Sequence, residues 1–122
     1  MKFTEDLGTS NLNFITGIET GYVVVQRKKI NSAHIIAPDA LVDWKLNTFS
    51  EMTTDHLSLI TALNPEVIIL GTGEKHIIPE KTILKALVET GVGYEIMTTS
   101  AACRTYNILL AEDRRAVVGL II

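Results

Sequence analysis

From residue 67 onward, continuous apolar runs alternate with segments that carry an apolar residue every third or fourth position. Val67-Ile68-Ile69-Leu70 is four apolar residues in a row, the signature of a strand covered on both faces. Pro79-Glu80 then opens a predicted helix with Ile83, Leu84, Leu87 and Val88 on one stripe and Lys81, Lys85 and Glu89 outside it, and Gly91 ends it. Tyr94 to Met97 reads as the next strand. Thr98 or Thr99 caps a helix reaching about Glu112, and Ala116 to Ile122 reads as a further strand. The order is β-α-β-α-β. Crossovers of this length predict three parallel strands with right-handed connections.

The first half has a different period. Asn13 to Ile18 is weakly strand-like, Tyr22-Val23-Val24-Val25 is a β-branched run, and Ala33 to Ala37 is a third strand that stops at Pro38-Asp39. Short connections between them predict an antiparallel meander. Between Pro38 and Thr53 no period dominates, and a short strand or turn with Trp44 partly buried is expected. Thr54 starts a helix with Asp55 in its first turn and Leu57, Ile60 and Leu63 on one face, and Asn64-Pro65 ends it.

The pattern predicts an α/β fold: a three-layer single domain with a mixed central sheet. The antiparallel part comes from the N-terminal meander and the parallel part from the C-terminal half. Residues 1–11 are polar and are expected to form a flexible N-terminal arm, leaving 12–122 as the domain.

A chain of 122 residues with 47% hydrophobic and 20% charged content can bury a core without disulfide or metal. The net charge of −3 disfavours nucleic-acid binding. The basic run Arg27-Lys28-Lys29 lies between two apolar runs and reads as a solvated hairpin turn. One cysteine, Cys103, excludes an intrachain disulfide and suits a reducing compartment. The first fifteen residues hold Lys2, Glu5 and Asp6 and no long apolar run. They read as a mature bacterial or archaeal start without a secretory signal. The longest apolar stretch, Ala116 to Ile122, is too short for a transmembrane helix.

Ligands of α/β proteins gather beyond the C-terminal ends of parallel strands. Two loops are expected there, Gly71-Thr72-Gly73 and Thr98-Thr99-Ser100. The second sits at a helix N-terminus, where free N–H groups and partial positive charge favour anions. Ser100, Arg104 and Asn107 fall on one helical stripe. Gly71, Thr72, Gly73, Thr99, Ser100, Arg104 and Asn107 are therefore the candidate ligand-binding residues. The plainer alternative is that the threonines cap the helix, Arg104 pairs with a carboxylate, and the glycines serve a turn. The glycines fit neither the dinucleotide fingerprint nor a P-loop. Cys103 reads as a small buried hydrophobe, or else as a thiol activated by the helix dipole. His34, His56 and His76 sit on separate elements without ligand spacing. No metal site, cofactor or catalytic residue is expected.

The segment Met97-Thr98-Thr99-Ser100-Ala101-Ala102-Cys103-Arg104-Thr105-Tyr106-Asn107, at a fixed distance after Leu70-Gly71-Thr72-Gly73, resembles a known family. Pro79, Gly91-Val92-Gly93-Tyr94-Glu95, and Ala37-Pro38-Asp39 followed by Trp44 match it as well. It is the uncharacterised bacterial and archaeal family related to the mitochondrial respiratory complex I assembly factor 3, and the resemblance covers about residues 12–122. It implies a three-layer fold with a mixed sheet and no settled catalytic residues. The mitochondrial relatives act by protein–protein contact. The chain departs from the family at Thr98, where an acid is common, at Asp113, where glycine is common, and at Gln26-Arg27-Lys28-Lys29, where a glycine is usual.

Two functions follow. The favoured one is a non-enzymatic binding or assembly protein with an exposed apolar patch. Its expected partner is a protein, with a respiratory-chain subunit or assembly factor as candidate and a homo-oligomer as a further option. Its expected place is the cytoplasm, at the periphery of the inner membrane through its partners. The alternative is a small anionic-metabolite-binding protein or enzyme with its site at Gly71–Gly73 and Thr99–Arg104.

Overall fold

The computed structural model describes residues 11–122. The arm expected over residues 1–11 lies, Asn11 excepted, outside the described residues.

Among the described residues eight strands and three α-helices follow in the order β1 (Ile15–Glu19), β2 (Tyr22–Val25), β3 (Lys28–Ile30), β4 (His34–Ala37), β5 (Ala40–Asp43), α1 (Thr54–Thr61), β6 (Val67–Gly71), α2 (Lys81–Glu89), β7 (Gly93–Met97), α3 (Thr99–Ala111) and β8 (Ala116–Leu120), with one 3-10 turn at Phe49–Glu51 before α1. They form two sheets, an antiparallel β1-β2-β3 and a mixed β5-β4-β8-β6-β7. In the mixed sheet β6 pairs in parallel with both β7 and β8, as the β-α-β-α-β pattern requires. β4 pairs antiparallel with β8 on one side and β5 on the other.

The α/β mixed architecture agrees with the sequence pattern, with one rearrangement. The meander does not continue into His34–Ala37. Instead β3 completes it, because only Gln26 and Arg27 form the turn while Lys28 and Lys29 pair with β2. The basic run is thus half turn and half edge strand. Its lysines alternate poorly with apolar residues, which hid the strand, and exposed lysines suit an edge. Gln26 and Arg27 have φ of +51° and +64°, the left-handed pair of a type I′ hairpin that normally selects Asn-Gly. Arg27→Gly is expected to raise stability by about 0.5–1 kcal/mol, since the side chain's left-handed penalty exceeds the added chain entropy. Thermal unfolding of that variant checks the sign.

Alternation along the central strands sorts the core into two layers. Ile36, Ile69, Ala116, Val118 and Leu120 face α3 and the small sheet, packing with Ala102, Cys103, Tyr106, Val23 and Val25. Ile35, Ala37, Ile68, Leu70 and Val117 face the other way, onto Leu57, Ile60, Ile83 and Leu87 of α1 and α2. The α2 stripe is narrower than its sequence suggests: Ile83 and Leu87 are buried, but Val88 is exposed.

Trp44 is fully buried, more deeply than expected. Its indole N–H donates to the carbonyl of His56 at 3.0 Å, and its ring lies edge-on to the His56 imidazole. The space comes from Gly119, opposite it on β8. His56 in turn accepts the Thr53 N–H through Nδ1, closing a cap at the start of α1.

Candidate functional site at the ends of the parallel strands

β6 and β7 are neighbours, and the connections leaving them go to opposite faces of the sheet, α2 to one and α3 to the other. That divergence normally opens a crevice beyond the strand ends. Here Gly71-Thr72-Gly73 and Thr98-Thr99-Ser100 occupy it, and they bond to each other. The Thr72 N–H donates to Met97 O at 2.9 Å. The Thr99 N–H donates to Gly73 O at 2.9 Å, and the Gly73 N–H donates back to Thr99 Oγ1 at 2.8 Å. The Thr99 hydroxyl donates to Ile121 O at 2.6 Å. A single buried threonine thus ties the β6 loop, the start of α3 and the residue after β8.

The glycines are local requirements of this knot. Gly73 has φ of +103°. A Cβ on Gly71 would lie 3.1 Å from the backbone of Thr99 and 2.8 Å from Leu120. Thr72 closes the loop, its hydroxyl donating to Lys75 O at 2.5 Å and accepting from the Ile77 N–H at 3.3 Å. Thr98 caps α3 by accepting the Ala101 N–H at 3.4 Å. Thr99→Val, which keeps the shape and removes the hydroxyl, is expected to cost about 1–2 kcal/mol, because it strands the Gly73 donor and the Ile121 acceptor. Thr99→Ser should recover most of that loss in chemical denaturation.

The remaining candidates part company. Asn107 turns inward to β1, accepting the Ile15 N–H at 2.9 Å and donating to Ile15 O at 2.7 Å. Arg104, one turn earlier on the same stripe, is exposed. Ser100 is half-buried at the helix start.

A cavity of about 840 Å³ opens beside the knot. Its walls are the tip of the β1–β2 hairpin (18–23), residues 47–49, the loop 72–75 with Ile77, the helix start 98–100, and Ile121 with Ile122. Thr72, Gly73, Thr99 and Ser100 therefore line one space. Gly71, Arg104 and Asn107 are not among its lining residues. The hairpin wall was invisible to sequence reasoning, which placed the ligand end of the parallel strands but had no way to bring residues 18–23 across it.

Cys103 lies outside this cavity, fully buried in the layer between α3 and the sheet. Burial pushes its thiol up to about 12 from an ordinary 9.0, against a weaker opposite pull from the Arg104 guanidinium. The small-hydrophobe reading is the one its surroundings match. The native thiol is expected to resist an aromatic disulfide reagent at pH 8 and to react fully once denaturant is added. The unfolded thiol ionises first, so its contribution to stability is intact below about pH 9 and is lost as pH rises toward 12. Burial also drives the Tyr106 phenol far above its ordinary range, with smaller opposing effects from Arg115, which lowers it, and Asp39, which raises it. Its hydroxyl donates to Asn13 O at 2.8 Å. Among the described residues no cluster of three histidine, cysteine or acidic side chains could hold a metal. No described helix is long and apolar enough to cross a membrane.

Comparison with known proteins matches residues 15–121 to a family described as protein of unknown function, DUF498/DUF598. The chain belongs to that family. The resemblance carried by residues 97–107 and the Gly71-Thr72-Gly73 loop thus stands. A protein from Francisella tularensis subsp. holarctica named 13 kDa major membrane protein is 39% identical over 70 residues, 57% of each chain. The NADH dehydrogenase [ubiquinone] 1 alpha subcomplex assembly factor 3 of Xenopus tropicalis is 30% identical over 103 residues, covering 83% of this chain and 56% of its own. This chain therefore spans a little over half the length of these curated relatives. A crystal structure from Bordetella parapertussis, 36% identical, superposes with a TM-score of 0.85 over 92% of this chain and 97% of that one. As a DUF498/DUF598 protein the chain shares its fold with the Bordetella parapertussis structure.

Proposed function

We propose that this DUF498/DUF598 protein is a non-enzymatic binding protein that assists assembly of a respiratory complex, acting from the cytoplasm at the inner membrane through protein contacts. The observation that carries the reading is its likeness to the vertebrate assembly factor, which extends over 83% of the chain rather than over one motif. Ile78, Val88 and Ile108 are 74%, 65% and 60% exposed, but Val88 on α2 and Ile108 on α3 lie on opposite faces of the sheet, so the three do not form the single exposed apolar patch that this reading expects.

Native electrophoresis of membranes from cells lacking the gene tests it. The expected result is less fully assembled respiratory complex I with accumulation of smaller subcomplexes, restored by the full chain. An unchanged amount and size of that complex overturns the proposal. A small anionic-metabolite site at Gly71–Gly73 and Thr99–Arg104 has less support, because the amides of Gly73 and Thr99 are bonded across the two loops and Arg104 is not part of the shared cavity wall.

A further inference from the structure

The segment between Gly73 and Pro79 is attached to the molecule in an unusual way. Residues 74–78 are all exposed, whereas Thr72 before them and Pro79 after them are buried. Among the described residues no backbone-to-backbone hydrogen bond involves any of these five. Their attachments run through side chains instead. The Thr72 hydroxyl donates to Lys75 O and accepts from the Ile77 N–H. The His76 ring donates from Nε2 to Ile96 O on β7, at 3.2 Å. Few buried contacts and no backbone ladder are the marks of a segment that opens locally. Its N-terminal end is firm: both the N–H and the C=O of Gly73 are bonded to Thr99.

The strap also stands between two hollows. Ile77 and Phe49 are wall residues of the cavity beside Thr99 and of a second, smaller one of about 60 Å³. The smaller hollow is otherwise walled mainly by Met52, Ile78, Pro79 and Ile83. Ile78 borders it while 74% exposed, so apolar surface and an unfilled apolar hollow lie side by side. Seating an isoleucine stabilises a protein by the same order as the net worth of two or three hydrogen bonds. Releasing the Thr72 and His76 bonds and seating Ile78 therefore offset each other, which brings two positions of the strap close in free energy. We propose that residues 74–78 are a lid on the cavity beside Thr99. Hinged at Gly73 and Pro79, the lid is latched in the observed position by Thr72 and His76. When released, it seats Ile78 in the smaller hollow and withdraws Ile77 from the cavity wall, which widens the cavity. The lid does not depend on the assembly reading, since it follows from how the segment is held.

Relaxation-dispersion NMR of the full chain tests it, read at backbone amides and isoleucine methyls. The amides of residues 74–78 and the methyls of Ile77 and Ile78 are expected to exchange at one common rate, while the amides of Leu70 and Val118 show no exchange. Thr72→Val, which keeps the shape and removes both hydroxyl bonds, is expected to raise the released fraction at least about fivefold. Thr72→Ser should bring it back close to the wild-type value. His76→Phe, at an exposed position where folding is not at stake, should raise it about twofold or more. Ile78→Ser, which removes the side chain that seats, should lower it. Absence of common exchange in both the wild type and His76→Phe overturns the inference. So does a released fraction that neither latch substitution raises, or exchange that spreads to Leu70 and Val118, which marks general loosening. Complex I levels in the deletion strain are a separate readout, so failure of one proposal leaves the other standing.

Discussion

Replacing Asn107 with leucine is expected to destabilise the protein by about 4 kcal/mol and to lower its melting temperature by on the order of 15 °C. Leucine matches asparagine in size, so packing alone predicts little change. The cost comes from β1. That strand pairs with β2 on one side, and on the other its Ile15 N–H and C=O meet the Asn107 amide at 2.9 and 2.7 Å. The side chain behaves as one residue of a neighbouring strand, giving a donor and an acceptor in the spacing a ladder would. Ile15 is fully buried, so water cannot replace the amide. Leucine would strand both groups at ~1–3 kcal/mol each. Aspartate keeps the acceptor and loses the donor while adding a buried charge, so it should not rescue. Denaturant melts of the wild type, Asn107→Leu and Asn107→Asp check this. A loss below about 1 kcal/mol for leucine would show that β1 finds other partners.

Gly119→Ala is the second large effect, expected to cost about 3 kcal/mol from one added methyl. Gly119 stands on β8, the strand between β4 and β6. A Cβ there would lie 2.6 and 2.9 Å from two ring carbons of Trp44 and 3.0 Å from Cδ1 of Ile60. The indole cannot give way cheaply, because its N–H is held by His56 O and its body is enclosed. Alanine would also favour the strand over glycine, so a loss here isolates the steric clash. The double variant Gly119→Ala with Trp44→Phe makes room for the methyl. It should be more stable than the sum of the two single losses, and a double-mutant cycle by chemical denaturation measures that coupling. Strict additivity would place the strain elsewhere.

These two residues also show where the sequence stopped being legible. The parallel half could be read almost to the residue, because β6 and β8 are runs of apolar residues and glycine, α2 starts after Pro79 and stops before Gly91, and α3 starts at a capping threonine. Local chemistry of that kind leaves local marks. The partnership of Trp44 with Gly119 spans most of the chain, and neither residue signals the other, so Trp44 read as only partly buried. Asn107 looked like a ligand residue because its stripe includes Ser100 and Arg104. Its real partner is the backbone of Ile15, which carries no side-chain signal. In the same way, His34–Ala37 reads equally well as a third meander strand or as a partner of β8, and only the pairing of Lys28–Ile30 with β2 decides between them. The candidate site was half legible: the strand ends were located, but the wall contributed by the first hairpin was not.

The position of β8 has a consequence for the order in which the molecule comes together during synthesis. β4 and β6 do not pair with each other; both pair with β8, which follows them by some fifty residues or more. The nascent chain therefore carries two separate half-sheets, each with an open edge, until residues 116–120 have left the ribosome. The seat for β1 on α3 forms equally late, 92 residues after the strand that occupies it. Long-range closure of this kind slows folding and exposes strand edges in the interval. The young polypeptide is thus a natural client for chaperones that shield such edges, however stable the finished fold becomes.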